Sequence, residues 1–130
     1  MSWAEVSIRY RDLDPNGHVN NGAINQYFED GRVKFREDLM SSLGREILTG
    51  FAIAHFEASY YSALNYPGRV EVGTVVTRIG KTSFGLGQAI FVGSREIAGA
   101  DVVSVYFDPS TGTKKHLPKE LLTVLEKALL

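Results

Sequence analysis

The sequence predicts an α+β fold in which a five-stranded antiparallel sheet wraps around one long central helix. Three observations lead there. The apolar residues switch once from a two-residue period to a three-to-four-residue period and back again. A single long helical stretch accompanies five long strands. The links between the last three strands are too short for anything but antiparallel neighbours. The strands need a face covered, and the helix is apolar enough to cover it. With 130 residues and 44% hydrophobic content, residues 1–130 read as a single domain with one core.

In the first element Val6, Ile8 and Tyr10 alternate with Ser7, Arg9 and Arg11, the period of a half-buried strand. A turn follows, Asp12-Leu13-Asp14-Pro15-Asn16-Gly17-His18-Val19-Asn20-Asn21. Pro15 fixes its own φ and restricts Asp14, Asn16-Gly17 supplies the reversal, and Asn20 or Asn21 caps the next helix. That helix places Ile24, Tyr27, Phe28, Gly31, Phe35 and Leu39 on one face over roughly five turns, with Asp30, Arg32, Lys34, Arg36 and Glu37 on the other. Gly31 on the buried stripe lets the helix approach a sheet closely, at a propensity cost of about 1 kcal/mol against Ala. Strands are expected at about 51–61, 69–79, 83–93 and 96–107, with Gly80-Lys81 and Gly93-Ser94 as hairpin turns. Pro118, at the first helical position, opens a short amphipathic helix with Leu121, Leu122, Leu125 and Leu129 on its apolar side.

Fourteen basic and fifteen acidic residues give a net charge of −1, so there is no general electrostatic reason to expect a nucleic-acid or anionic-membrane partner. The absence of cysteine removes disulfides, thiol nucleophiles and Cys-ligated zinc. With no secretory leader pattern and no run of some eighteen apolar residues, the expectation is a soluble, unprocessed, cytoplasmic protein. His18, His55 and His116 lack ligand spacing, so no metal is expected. Gly85-Leu86-Gly87 lies inside a strand with no helix after it, which makes it a bulge or close-contact site and not a phosphate loop. A Gly-x-Ser-x-Gly nucleophile elbow does not occur.

The turn from Asp12 to Asn21 is the candidate reaction centre. The first helical turn after it, Gly22 to Gln26, contains no Asp or Glu, so its free N–H groups and partial positive charge are open to a carbonyl oxygen becoming an oxyanion. Asp14 sits just before them. From spacing alone, catalysis and turn formation compete for Asp14. Asp12 reads as structural, His18 as loop-ordering or a proton-transfer aid, and Asn20 and Asn21 as caps first and substrate contacts second. Glu57 reads as a partner for Arg9, Arg32 or another subunit, with catalysis the lesser reading. Phe56, Tyr60, Phe84 and Phe91 read as sheet packing or acyl-tunnel lining. Lys81, Arg95 and Lys114-Lys115-His116 are candidate phosphate contacts or solvated surface.

Tyr10-Arg11-Asp12-Leu13-Asp14-Pro15-Asn16-Gly17-His18-Val19-Asn20-Asn21, followed by Tyr27-Phe28-Glu29 and Arg32, resembles the hotdog-fold acyl-CoA thioesterases, specifically the 4-hydroxybenzoyl-CoA thioesterase-like group. Tyr60, Tyr66, Gly68 and Val70 to Thr77 resemble the family's next strand pair, and Gly80-Lys81-Thr82-Ser83-Phe84 its following hairpin. The resemblance implies a homodimer joined edge to edge, or a tetramer of such dimers, with active sites at the dimer interface. It implies Asp14 as nucleophile or general base, and backbone N–H groups near Gly17 to Val19 and at the helix start as carbonyl-polarising donors. Gly17, His18, Val19, Asn20, Asn21, Tyr27, Thr82 and Ser83 are the implied substrate-binding residues. Coenzyme A is part of the substrate and no retained cofactor is expected. Related proteins commonly carry Tyr where this chain has Ile24, which leaves the acyl group open. The alternatives are an acyl-ACP thioesterase, or a non-catalytic hotdog protein that binds acyl thioesters or lipids. A hydratase is disfavoured because no Asp/His pair has the spacing for dehydration chemistry.

Overall fold

In the computed structural model, which describes residues 1–130, the sheet and its central helix take the expected form. Strands β1 (Ser2–Ser7), β2 (Phe51–Tyr60), β3 (Arg69–Ile79), β4 (Ser83–Val92) and β5 (Arg95–Tyr106) form one sheet in the order β1-β3-β4-β5-β2, every pair antiparallel. Helix α1 (Asn21–Leu39) lies against its inner face, a short α2 spans Arg45–Leu48, and α3 spans Lys119–Ala128. The hairpin at Gly93-Ser94 has Gly93 at φ +60°, a conformation a two-residue strand connection favours.

The helix binds the sheet through the stripe its sequence predicts. Ile24, Tyr27, Phe28, Gly31 and Phe35 are buried, and across from them lie Val70, Val72, Val76, Leu86, Ile90 and Val102. Burying each large side chain contributes about 1.5–3 kcal/mol. At Gly31 the packing admits no side chain, because a Cβ there would lie 2.5 Å from Val72 Cγ1 and 3.0 Å from Gln88 Nε2. Helix α3 closes the far end through Leu121 and Leu125, and Leu130 N–H donates to Val76 O (2.9 Å) beyond the stretch of β3 that β1 covers. On the outer face Trp3 lies over Gly73, where a Cβ would meet the indole at 3.0 Å, with its ring centroid 5.9 Å from that of Phe91. The Gly85-Leu86-Gly87 stretch lies within β4, and a Cβ on Gly85 would meet Thr77 Oγ1 at 2.9 Å opposite the irregularity between Val76 and Arg78.

Several boundaries differ from the sequence reading. The first strand ends at Ser7; Ile8 still points inward, but residues Tyr10–Asp12 form a 3-10 turn and Tyr10 is exposed. Alternation fails there because the Asp12 carboxylate accepts a hydrogen bond from the Arg9 backbone N–H (3.0 Å) and coils the chain. Pro118 is the cap of α3, one residue before the helix proper, and Leu129 lies half exposed beyond its end. The four-residue α2 was not anticipated, being too short to show a period. Strand β2 pairs only with β5, and most of its residues are exposed.

Candidate active site

The segment between β1 and α1 folds on itself before the helix begins. Leu13 and Val19 form an antiparallel bridge, Asp14 N–H donates to His18 O (2.8 Å), and Gly17 N–H donates to Asp14 O (3.0 Å). Gly17 adopts φ +84°, so Asn16-Gly17 makes the expected reversal at a position where a Cβ would be strained. Asp14 Oδ1 accepts from Asn16 N–H (2.9 Å) and from His18 N–H (3.3 Å), while Oδ2 has no partner in the chain. One oxygen therefore seats the carboxylate in the loop and the other makes no hydrogen bond within the chain. The side chain is half-buried, and that of His18 is exposed.

Asn20 joins this loop to the helix. Its Oδ1 accepts from Ala23 N–H (2.8 Å), which makes it the N-cap, and its Nδ2 and backbone N–H both donate to Asp12 O (3.2 and 3.0 Å). The N–H groups of Gly17, His18 and Val19, expected to face substrate, are instead engaged within the chain, that of Val19 by Leu64 O (2.9 Å). The unpaired donors are one turn later, at Asn21 and Gly22, where no acidic side chain compensates the helix. Gly22 carries no side chain to screen them, and Asn21 is exposed.

Behind the loop lies a buried polar cluster. Asp12, 4% exposed, accepts from Tyr27 Oη (2.6 Å), from the Arg9 N–H (3.0 Å) and from Arg9 Nε (3.4 Å), and its Oδ1 pairs with Arg9 Nη2 at 3.2 Å. Burial by itself raises the Asp12 carboxyl, but the hydrogen bonds from Tyr27 and Arg9 and the Arg9 charge outweigh it and hold the group below the ordinary carboxylate range. Burial and the Asp12 hydrogen bond push the Tyr27 phenol upward. Tyr27, expected to shape the acyl pocket, thus points into this cluster, and Val19, 5% exposed, belongs to the core.

Thr82 and Ser83 lie at the other end of the sheet from Asp14. Ser83 pairs with Val105, which pairs with Ala52 at the start of β2, whereas the Asp14 loop adjoins the end of β2 through Leu64 and through the Tyr60 hydroxyl on Asn25. Eight residues of strand separate these ends by roughly 25 Å. Gathered at the Thr82 end are Lys81, whose carbonyl accepts from Leu117 N–H, and Lys114 and Lys115, the latter with Nζ 5.0 Å from the Tyr106 ring centroid. Glu57 meets neither expected arginine. It lies 3.5 Å from His55 Nε2 and opposite Asp101, while Arg9 pairs with Asp12 and Arg32 Nη1 donates to Gln88 Oε1 (3.0 Å). The Asp12–Tyr27 and Arg32–Gln88 pairs escaped the sequence reading because their members come from different elements; the one available signal was a polar Gln at an inward position of β4.

A family model described as the thioesterase-like superfamily matches residues 8–125. Among solved structures, a predicted thioesterase from Bacillus stearothermophilus is 25% identical with a TM-score of 0.90, covering 99% of this chain and 96% of that one. A thioesterase from Thermus thermophilus, complexed with coenzyme A and Zn, is 24% identical with a TM-score of 0.86, covering 98% and 92%. A 1,4-dihydroxy-2-naphthoyl-CoA thioesterase from Synechocystis is 18% identical with a TM-score of 0.84, covering 95% and 94%. No curated protein sequence matches the chain significantly. No helix is long and apolar enough to cross a membrane.

Proposed function

The chain belongs to the thioesterase-like superfamily and is a thioester hydrolase, and from that premise we propose that it cleaves an acyl-CoA with Asp14 as the reacting acid. The observation that carries this reading is the pairing of an Asp14 carboxylate with one oxygen free and a helix start, at Asn21 and Gly22, with two N–H groups free. Asp14 either attacks the thioester carbon, giving a mixed anhydride and releasing the thiolate, or removes a proton from the water that attacks it. In both routes negative charge develops on the carbonyl oxygen, and free N–H donors at a helix start stabilise it; such a donor is worth ~2.7–4 kcal/mol elsewhere. Asn20 positions loop and helix against each other, and His18 orders the loop through its backbone.

A second copy of the chain supplies what one copy keeps apart. Strand β2 has a free edge, and antiparallel pairing of two such edges brings the Phe51 end of one against the Tyr60 end of the other. Thr82, Ser83, Lys81, Lys114 and Lys115 of one copy then approach the Asp14 loop of the other, where they suit the phosphates of coenzyme A. The fold neighbour crystallised with coenzyme A supports CoA as the carrier. An acyl carrier protein is the competing carrier, separated by comparing rates on matched acyl-CoA and acyl-ACP.

The test is a panel of acyl-CoAs with a thiol indicator. Wild-type protein should release thiol from at least one member, and Asp14→Asn should lower kcat by roughly 10²–10⁴-fold while circular dichroism stays unchanged. Full turnover by the Asn variant removes Asp14 from the mechanism, and ligand binding without thiol release across the panel favours the binding-protein alternative.

A further inference from the structure

The outer face of the sheet, turned away from α1, carries a depression of about 510 Å³. Small residues make it. Gly73, Ala89 and Gly99 are register neighbours on β3, β4 and β5, and Gly87 continues the floor along β4. Trp3 rests over Gly73, and the Tyr61 hydroxyl lies 3.0 Å from where a Cβ on Gly99 would be, so an aromatic ring stands on each side. Two strand spacings separate those glycines, roughly 10 Å. An α-helix with its side chains is about 10–12 Å across, so one helix laid along β4 fits between the rings. Trp3 and Tyr61 are 46% and 60% exposed, and such side chains are frequent anchors of protein contacts.

The charge around the depression has one sign. Glu57, Glu96 and Asp101 line it, and no lysine or arginine does. Asp101 stands directly opposite Glu57 on one bank, and Glu71 opposite Glu5 on the other; like charges so placed repel. Relief within the chain is partial. Arg69 pairs with Glu5 (2.9 Å) and His55 reaches Glu57 (3.5 Å), whereas Glu71, Glu96 and Asp101 form no ion pair. Arg95, next to Glu96 in sequence, donates to Ser62 Oγ instead (3.4 Å). The face therefore favours a cationic partner and disfavours nucleic acid, an anionic membrane and a second copy of itself.

We propose that this face docks a basic amphipathic helix of another protein, its apolar stripe over Gly87 and Ala89 between Trp3 and Tyr61, its Lys or Arg residues at Glu71, Glu96 and Asp101. The hydrolase is thereby held to a basic partner by the side of the sheet opposite α1. The assignment rests on that face alone, whatever the role of Asp14.

Calorimetric titration tests it with a helix-forming peptide of leucine and lysine, about 14 residues and so ~21 Å long, its leucines on one face. One peptide should bind per chain, and added salt should weaken the binding. The same peptide with glutamate in place of lysine should not bind. Glu96→Gln combined with Asp101→Asn, both at exposed positions, should weaken binding about tenfold or more. Ala89→Leu fills the floor and should weaken it by a similar factor of about ten. Glu37→Gln combined with Glu46→Gln removes the same charge from exposed positions on α1 and α2 and should bind as wild type does, as should Asp14→Asn. No binding, equal binding of the glutamate peptide, undiminished binding by either variant of the depression, or an equal loss in the Glu37→Gln/Glu46→Gln protein each overturns the proposal. So does a sedimentation mass that Ala89→Leu lowers, which would put a second copy on the face.

Discussion

Asp12 and Tyr27 lie 15 residues apart in the chain and 2.6 Å apart in space, and their hydrogen bond ties the Asp14 loop to the second turn of α1. Asp12 also receives Asn20 through its carbonyl, so one residue fixes the loop both to the helix cap and to the helix body. Tyr27→Phe removes a donor to a buried carboxylate and should cost about 1.5–3 kcal/mol in a denaturant titration. The pH dependence has a definite sign. The Asp12 carboxyl is depressed in the folded state, so its contribution is present above the unfolded value near ~3.9 and is lost as pH falls through the lower folded value. The Tyr27 phenol is raised, so its contribution is present below the unfolded value near ~10 and is lost as pH rises above it. Tyr27→Phe should therefore flatten the alkaline limb of a stability profile, and an unchanged limb would assign that limb to other groups.

At the scale of elements, α1 is positioned by close approach. Gly31→Ala gains about 1 kcal/mol of helix propensity but sets a methyl 2.5 Å from Val72 Cγ1, on a residue with no exposed surface and no room to retreat. Overpacking of this kind costs about 1–3 kcal/mol, so the net effect should be a lower denaturation midpoint; a higher one would show that the helix can lift from the sheet. The same elements show what the sequence made legible. The stripe from Ile24 to Phe35 and the strands from Arg69 to Tyr106 follow periods that hold over ten or more residues, and periodicity reports burial directly. Tyr10 continues the alternating pattern in sequence yet leaves the sheet, because a carboxylate two residues later captures the Arg9 N–H. Four residues of α2 cannot express a period at all. The Asp14 turn and its Asn20 cap were legible because Pro, Gly and Asn act locally. The roles of Tyr27 and Gln88 were not, because their partners come from elsewhere in the chain.

For the whole molecule, the long unpaired edge of β2 and the distance between Asp14 and Thr82 are what support the proposed pairing with a second copy. Sedimentation equilibrium should return at least twice the 14.3 kDa chain mass, and a monomer at micromolar concentration would overturn the proposed pairing. Association through the outer sheet face is electrostatically poorer, since Glu57 and Asp101 stand side by side there and would meet their own like charges. That same face carries Trp3, the chain's only indole, resting on Gly73 beside Phe91 at the margin of the sheet opposite β2. Ultraviolet excitation at long wavelength therefore lights up one lamp, fixed to the first strand. Its colour and brightness follow whether that strand stays docked, and stay dark to events at the Asp14 loop, which makes the natural chain its own optical sensor of edge fraying.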